Sequence, residues 1–333
     1  MKLEDLTPDK YQRSIIDDFT PERTIVVTGV AGSGKSLTLL KKPKQVSAIS
    51  DSYAIIVYTK SLKQFFAEEL AEIDPEENHI YYLHEWKHCD KPHYKYLFID
   101  ECQDFNSEEI ADFASHGDYL WLFGDDNQAI MSFKPTENAP GHSIQSVSDT
   151  IAQLKAEHQD LCINHRLTIE NAALAESIRP NSDLTEACYR HGNKPMIIPC
   201  TDISSELDMI INLIRSASLT NVGILTHYNS GIRTITDYFA SKGIPVEWKT
   251  SDNDDNIDFS SSNPKVMTVH SAKGLQFSTV FVPFCQKPSY DDERLTLYVA
   301  PTRPLDRLIL TFSGKLTDFL PPIESELYAN LQS

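Results

Sequence analysis

Short apolar runs recur along the chain, and turn residues followed by a helical pattern come after most of them. Continuous apolar runs of this kind are typical of strands that are buried on both faces of a sheet. Four runs lie in the first half and five in the second half, at 24–28, 54–58, 96–99, 119–123, 196–198, 222–225, 266–269, 280–282 and 308–310.

Helical patterns at 203–216 and 231–242 separate strand patterns of the second half. Strands that alternate with helices indicate an α/β fold with mainly parallel sheets flanked by helices. A length of 333 residues exceeds the size at which one core usually stops growing, so we expect two domains. A polar loop at 134–148 and a helix after it put the boundary near residue 160, which predicts domains at 1–160 and 161–333.

Composition narrows the class of protein. The 48 acidic and 30 basic residues give a formal charge of -18, which disfavours a protein that coats nucleic acid by bulk attraction. Any contact with nucleic acid is therefore expected in a local groove. No apolar run approaches the length that spans a membrane, and the six cysteines form no CxxC pair. We expect a cytoplasmic protein with free thiols and no membrane contact.

A glycine-rich segment follows the first strand pattern and precedes a helical one. Residues 29–36 read GVAGSGKS and fit G-x-x-x-x-G-K-[ST] in full. In such a loop main-chain N–H groups surround the phosphates of ATP, Lys35 reaches the β and γ phosphates, and the Ser36 hydroxyl binds Mg²⁺. The predicted nucleotide-binding residues of the loop are Gly29, Ala31, Gly32, Ser33, Gly34, Lys35 and Ser36.

Two carboxylates end the apolar run at 96–99. Asp100 and Glu101 fall at the carboxyl end of a predicted buried strand, where open α/β sheets bind their ligands. We predict that Asp100 is the second magnesium-side residue and that Glu101 orients and deprotonates the attacking water.

Six segments in order resemble the motifs of the UvrD/Rep-like branch of superfamily 1 helicases, from about residue 6 to residue 312. Besides the phosphate loop they are DECQD at 100–104, GDDNQAI at 124–130, NHR at 164–166, VHSAKGLQF at 269–277 and YVAPTR at 298–303. The resemblance implies two tandem RecA-like P-loop domains that hydrolyse ATP with Mg²⁺ in the cleft between them.

The resemblance also implies roles at the nucleotide. Gln103 and Gln128 sense the γ-phosphate, and Arg166 and Arg303 are finger residues that stabilise the charge of the transferring phosphoryl group. The other positions implied to touch the nucleotide are Gln12 at the adenine edge, His165 in the place of an adenine-stacking tyrosine, Gly274, and Gln276 near the ribose.

Nucleic-acid contacts are implied in the same way. Tyr58 and Phe133 stand where the family places base-contacting aromatic residues, although a core role is an equally good interpretation of Tyr58. The further contacts implied are Thr59, His84, Thr268 and His270.

The chain departs from the family in two intervals. Only the 15 residues 85–99 and the 99 residues 167–265 stand where full-length relatives carry large inserted subdomains. We therefore expect a minimal two-domain core.

The leading hypothesis is an ATP-dependent translocase or helicase on single-stranded nucleic acid, DNA rather than RNA, with the 3′ to 5′ polarity that the resemblance implies. A nucleotide-gated regulatory ATPase subunit that controls a partner protein is the alternative that the minimal core and the acidic charge favour. An RNA-directed motor is a third hypothesis, because nothing in the sequence reads a 2′-hydroxyl. A partner protein that supplies duplex engagement fits the leading hypothesis.

Overall fold

A computed structural model describes residues 7–18, 22–49, 51–72, 74, 79–131, 141–180, 182–250, 257–287 and 290–329. The chain forms two compact units, Met1–Asn164 and His165–Ser333. Each unit is built around its own six-stranded sheet.

The first unit alternates strands and helices along most of its length. Its elements are α1 (Lys10–Ile16), β1 (Ile25–Gly29), α2 (Lys35–Ala48), β2 (Tyr53–Val57), α3 (Lys60–Leu70), β3 (Ile80–Tyr82), α4 (Leu83–His88), β4 (Tyr94–Ile99), α5 (Ser107–His116), β5 (Gly117–Gly124), α6 (Val147–Leu154) and β6 (Glu157–Leu161).

The strand order of the first sheet is β3-β2-β4-β5-β1-β6, and every pairing is parallel. The segments that follow β1, β4 and β5 therefore meet at one edge of the sheet, which is the edge that carries the phosphate loop. Residue 160 lies inside β6, which pairs with β1 from Glu157 to Leu161. For this reason the first unit extends beyond residue 160, to Asn164.

Alternate residues along a strand of the first sheet pack into two separate apolar cores, one on each face of the sheet. In β1, Ile25 and Val27 belong to one apolar cluster, which also contains residues of α2 and α3. Val26, between them, belongs to a second cluster with residues of α4, α5 and α6. Burial on both faces explains why these strands are continuously apolar in sequence.

The second unit has the same alternation. Its elements are β7 (Asn164–Thr168), whose first residue belongs to the first unit, α7 (Ile169–Ile178), β8 (Cys188–Arg190), β9 (Met196–Cys200), α8 (Ile203–Ser216), β10 (Val222–Thr226), α9 (Asn229–Ser241), β11 (Glu247–Trp248), β12 (Lys265–Thr268), β13 (Phe277–Val282), α10 (Asp291–Val299) and β14 (Pro304–Ser313).

The strand order of the second sheet is β11-β12-β10-β13-β14-β9, again with parallel pairing throughout, and β7 and β8 form a separate two-stranded sheet. Leu207, Ile210 and Ile211 of α8 share one apolar cluster with residues of α9 and of the central strands. Two parallel sheets flanked by helices confirm the predicted α/β fold with two tandem RecA-like domains.

The nine predicted apolar runs all become strands. The sequence did not indicate β3, β6, β7, β8 or β11, which are short or polar; β6 reads Glu-His-Gln-Asp-Leu. The interval 167–265 holds α7, α8, α9 and the strands from β8 to β11. Most of that interval therefore serves the core of the second unit.

Candidate active site and nucleic-acid contacts

The phosphate loop connects β1 to α2 with backbone that only glycine adopts readily. Gly34, the residue before α2, has φ of 87°, in the left-handed region. A Cβ at this position would also collide with the side-chain amide of Gln12. Glycine at 34 therefore allows the loop to turn directly into the amino terminus of α2, where main-chain N–H groups are available to an anion.

Lys35 is buried at the start of α2, and its ammonium group lies within the loop. Its Nζ donates hydrogen bonds to the main-chain oxygens of Gly29, at 2.5 Å, and Val30, at 3.2 Å. Ala31 and Ser33 are also buried, and Ser33 Oγ has no hydrogen-bond partner among the described residues. The loop thus surrounds one cation, which suits a site for phosphate.

Ser36 and Asp100 meet as the motifs predict. Ser36 Oγ donates a hydrogen bond of 3.1 Å to Asp100 Oδ2, across 64 residues of sequence. Asp100 is fully buried, and its Oδ1 has no hydrogen-bond partner in the described part of the chain. Burial, and then the charge of Glu101, raise the pKa of Asp100 well above the usual range of an aspartate. A buried carboxylate oxygen beside a hydroxyl fits the oxygen-rich coordination of Mg²⁺.

A hydrogen-bonded chain joins the DECQD and GDDNQ segments. Gln103 Nε2 donates to Glu101 Oε2 at 2.5 Å, and Gln103 Oε1 accepts from the main-chain N–H of Asp125 at 2.9 Å. Gln128 Nε2 donates to Asp125 Oδ2 at 2.8 Å. The two glutamines are therefore linked through Asp125, which the sequence did not single out.

Glu101 has a left-handed backbone, with φ of 52°. This conformation is uncommon for a residue with a side chain and occurs preferentially at functional sites. Glu101 is the second residue after β4, behind Asp100, and it immediately precedes the 3-10 turn Cys102–Asp104. The turn brings the Gln103 amide to the Glu101 carboxylate and so fixes the orientation of that carboxylate.

Gln12 lies beside the phosphate loop. Its Nε2 donates to the main-chain oxygen of Ser33 at 2.9 Å, and its Oε1 accepts from the N–H of Asp9 at 3.0 Å in a capping box. Both ends of the amide thus have a partner within the chain. Adenine recognition by Gln12 stays a prediction, and it requires the amide to exchange at least one of these bonds.

The second unit brings Arg166 and Arg303 to the same residue. Arg166 Nη1 donates a long hydrogen bond of 3.4 Å to the main-chain oxygen of Thr302. Arg303 is buried and donates from Nε and Nη2 to Thr302 Oγ1, at 3.1 and 2.7 Å. The two predicted finger residues are therefore neighbours, although their roles stay predictions.

The remaining predicted nucleotide residues also lie in the second unit. His165 Nδ1 lies 3.3 Å from the hydroxyl of Tyr189, and the two rings pack edge to face. Gly274 has a left-handed φ of 80° in the segment after β12, and Gln276 is half-buried just before β13. Their contacts with the nucleotide stay predictions.

Tyr58 is half-buried at the end of β2. Its ring packs against Phe105, with ring centroids 5.5 Å apart, and edge to face against His142, at 5.9 Å. Burial, and then the charges of Asp104 and Glu109, raise its pKa. Thr59 caps α3 by accepting from the N–H of Leu62 at 3.2 Å. Tyr58 therefore has a packing role, which leaves room for contact through its exposed part.

The other predicted nucleic-acid contacts are distributed over both units. His84 is exposed on α4 and stacks on His88, with centroids 4.3 Å apart. Thr268 Oγ1 accepts from the N–H of Ser271 at 3.1 Å, and His270 is half-buried in the same turn. Phe133 lies outside the described residues.

Sequence reasoning missed three further residues that touch the predicted motifs. Asn164 Nδ2 donates to the main-chain oxygen of Ala31 in the phosphate loop, and its place in the NHR segment was a signal for it. His142 Nε2 donates to the main-chain oxygen of Asp104 at 2.8 Å, and Thr302 holds both arginines. No sequence pattern pointed to His142.

The helices within the described ranges include none that has both the length and the apolar character needed to cross a bilayer.

Comparison with known proteins identifies two helicase segments. The family model of the viral superfamily 1 RNA helicase core domain matches residues 25–217, which is more than half of the chain. The model of the UvrD-like helicase C-terminal domain matches residues 265–311.

One curated relative, from Acanthamoeba polyphaga mimivirus, is provisionally named an ATP-dependent DNA helicase. It is 24% identical over 269 residues, covering 70% of this chain and 37% of the relative. The chain therefore spans little more than a third of that relative's length.

The solved structures that this chain resembles have low sequence identity to it. One is the helicase nonstructural protein 10 of an arterivirus, with 15% identity and a TM-score of 0.47; the match covers 96% of this chain and 65% of that one. A second is the same protein in complex with DNA, with 15% identity and a TM-score of 0.47; the match covers 95% of this chain and 66% of that one. A third is the C-terminal domain of a possible DNA helicase from Lactobacillus plantarum, with 20% identity and a TM-score of 0.40. This match covers 49% of this chain and 96% of that domain.

The two matched segments contain the phosphate loop, the carboxylate pair and the second-unit motifs. Family membership supports NTP hydrolysis and nucleic-acid binding in general terms. The chain belongs to the superfamily 1 helicases, with a helicase core of the viral type followed by a UvrD-like C-terminal segment.

Proposed function

We propose that this chain is an ATP-driven motor that moves along single-stranded DNA with 3′ to 5′ polarity. The observation that carries the ATPase part of the proposal is the Ser36–Asp100 hydrogen bond, which joins the phosphate loop to the carboxylate pair at one edge of the first sheet. That edge is where open α/β sheets bind ligands. The DNA strand and the polarity are proposed from the family resemblance.

We propose the following division of labour for hydrolysis. Lys35 binds the β and γ phosphates, and Glu101 orients the attacking water and accepts its proton. Ser36 and Asp100 would hold a magnesium ion, which would supply charge neutralisation at the phosphate oxygens. Gln103 supports this assignment because its amide fixes the Glu101 carboxylate from one side, at 2.5 Å. Gln128 is linked to the same amide through Asp125 and would respond to the γ-phosphate.

We assign the arginines of the second unit to charge stabilisation. Phosphoryl transfer spreads negative charge over oxygens, and a guanidinium group is planar, always charged and able to donate two parallel hydrogen bonds. Arg166 and Arg303 are suited to this role because they are held side by side at Thr302. If they contact the γ-phosphate only before hydrolysis, their release afterwards provides a conformational step for movement.

We further propose that His142 couples nucleic-acid contact to hydrolysis within the first unit. Tyr58, the proposed base contact, packs against both Phe105 and His142. His142 in turn donates a hydrogen bond to Asp104, which belongs to the same 3-10 turn as Gln103. A displacement of the Tyr58 ring would therefore move His142, and His142 would in turn displace the 3-10 turn that orients Glu101.

The test is the ATPase rate measured without polymer, with single-stranded DNA and with RNA of equal length. Strong stimulation by DNA supports the motor. Stronger stimulation by RNA would replace the DNA assignment with an RNA-directed motor, in keeping with the name of the matched family model. An ATPase rate that neither DNA nor RNA changes would contradict the motor and favour the nucleotide-gated regulatory subunit.

A further inference from the structure

We infer that Thr302 is a positioning residue that fixes the guanidinium group of Arg303 for phosphoryl transfer. The inference rests on the proposed function, because it assumes that Arg303 faces the phosphates during hydrolysis. Thr302 was not among the residues that the motifs assign to the nucleotide.

The hydroxyl of Thr302 has a single hydrogen, and that hydrogen has a partner. Thr302 Oγ1 donates to the main-chain oxygen of Val299 at 2.7 Å, one turn earlier. Toward any other group this oxygen can act only as an acceptor. Two acceptor lone pairs thus point away from Val299 in a defined direction.

Arg303 uses that acceptor twice. Its Nε and Nη2 both donate to Thr302 Oγ1, at 3.1 and 2.7 Å, and Nε also lies 3.4 Å from the Val299 oxygen. Thr302 and Arg303 are both buried. A guanidinium group held along its Nε–Nη2 edge cannot rotate about its last side-chain bond without losing these bonds, so the direction of its remaining N–H groups is set.

The backbone of Thr302 serves the other arginine. Its main-chain oxygen accepts the 3.4 Å hydrogen bond from Arg166 Nη1. Thr302 closes the 3-10 turn Ala300–Thr302, so its side chain and its carbonyl are both held by local structure. The hydroxyl therefore acts on Arg303 and the carbonyl on Arg166, and a side-chain substitution separates the two.

Thr302→Val replaces the hydroxyl by a methyl group of nearly the same shape and leaves the carbonyl in place. We expect kcat for ATP to fall by about 100-fold, as a misplacement of about 1 Å can cause. Affinity for a fluorescent ATP analogue and the KM for ATP should change little. Thr302→Ser keeps the acceptor and should restore kcat. Thr234→Val, a Thr-to-Val change on the exposed side of α9, is the matched control.

A double-mutant cycle distinguishes positioning from a general structural role. If Thr302 acts through Arg303, then Thr302→Val should have no further effect on kcat in an Arg303→Ala protein. On an Arg166→Ala background it should keep its full effect, because the carbonyl that holds Arg166 is unchanged. An equal loss of kcat on both backgrounds would overturn the inference, and so would wild-type kcat in Thr302→Val.

Folding is checked by thermal unfolding of each variant. If Thr302→Val does not fold, Thr302→Ala also removes the acceptor without crowding the turn, and the same cycle applies. Failure of the proposed function gives a different result. Wild-type protein that does not hydrolyse ATP, or Arg303→Ala protein with a normal rate, would contradict the finger role itself and the inference with it.

Discussion

His142 Nε2 donates a hydrogen bond of 2.8 Å to the main-chain oxygen of Asp104, and the His142 ring packs against Tyr58. One buried side chain thus touches both the DECQD turn and the residue proposed to contact nucleic acid. Its position between them is the basis of the first prediction.

His142→Ala should leave the basal ATPase rate near that of the wild type and reduce its stimulation by single-stranded DNA several-fold. The physical reason is that the substitution removes the packed link between Tyr58 and the turn, while Glu101 and Gln103 keep their own hydrogen bond. Steady-state turnover is measured at increasing DNA concentration. His93→Ala, which alters an exposed histidine paired with Asp118, is the control. Full stimulation in His142→Ala would contradict coupling through this residue.

Lys35→Ala should reduce hydrolysis to background. The ammonium group is buried in the phosphate loop, and no other residue of that loop carries a positive charge for the β and γ phosphates. Turnover is measured on purified protein, beside Lys95→Ala, which removes a surface ion pair with Asp51. If Lys35→Ala kept the turnover of the Lys95→Ala control, this loop would be ruled out as the hydrolytic site.

Glu101→Gln should keep ATP affinity and slow hydrolysis by about 10²- to 10⁴-fold, the usual contribution of a general base. The amide oxygen of the new side chain can still accept from Gln103, so the local hydrogen bond and the turn should survive. Binding of a fluorescent ATP analogue and single-turnover hydrolysis report the two effects separately. A variant that no longer binds ATP would indicate a structural role for Glu101.

Arg303→Lys should lower turnover by roughly 10- to 1,000-fold, part of the effect of removing an arginine finger, with ATP affinity little changed. Lysine keeps the charge but lacks the two donors that Arg303 places on Thr302 Oγ1. Steady-state turnover is compared with that of Arg307→Lys, a half-exposed arginine of β14. Near-normal turnover would exclude the finger role.

The isolated chain should separate long duplexes poorly even if it hydrolyses ATP along a single strand. Each base-pair step opposes opening by about 1.4 kcal/mol of stacking, and residues 167–265 are largely used for the core of the second unit. The charge of -18 adds no general attraction to DNA, so residence on DNA should be short, and salt should shorten it further by screening the local contacts.

The measurement is strand displacement from a 3′-tailed substrate with duplexes of increasing length, at low and moderate salt. A single-turnover trap keeps each protein to one binding event. Complete displacement of long duplexes under these conditions would show that the chain has its own duplex-engaging surface. A partner protein, or a longer polypeptide that contains this chain, would otherwise supply it.

The sequence by itself determined the positions of the central strands and of the phosphate loop. These features depend on local patterns: continuous apolar runs, and a glycine-rich segment that ends in a lysine and a serine before a helical pattern. The order of the helicase segments was readable for the same reason, since each segment is short and continuous.

Only the tertiary structure decided which side chains meet. Asp125 joins Gln103 to Gln128, and β6 completes the first sheet although its sequence is polar. His142 reaches Asp104 across 38 residues, and Arg166 reaches Thr302 across 136. Such contacts depend on the packing of elements that are distant in sequence, and no local periodicity encodes which atoms that packing brings within hydrogen-bonding distance.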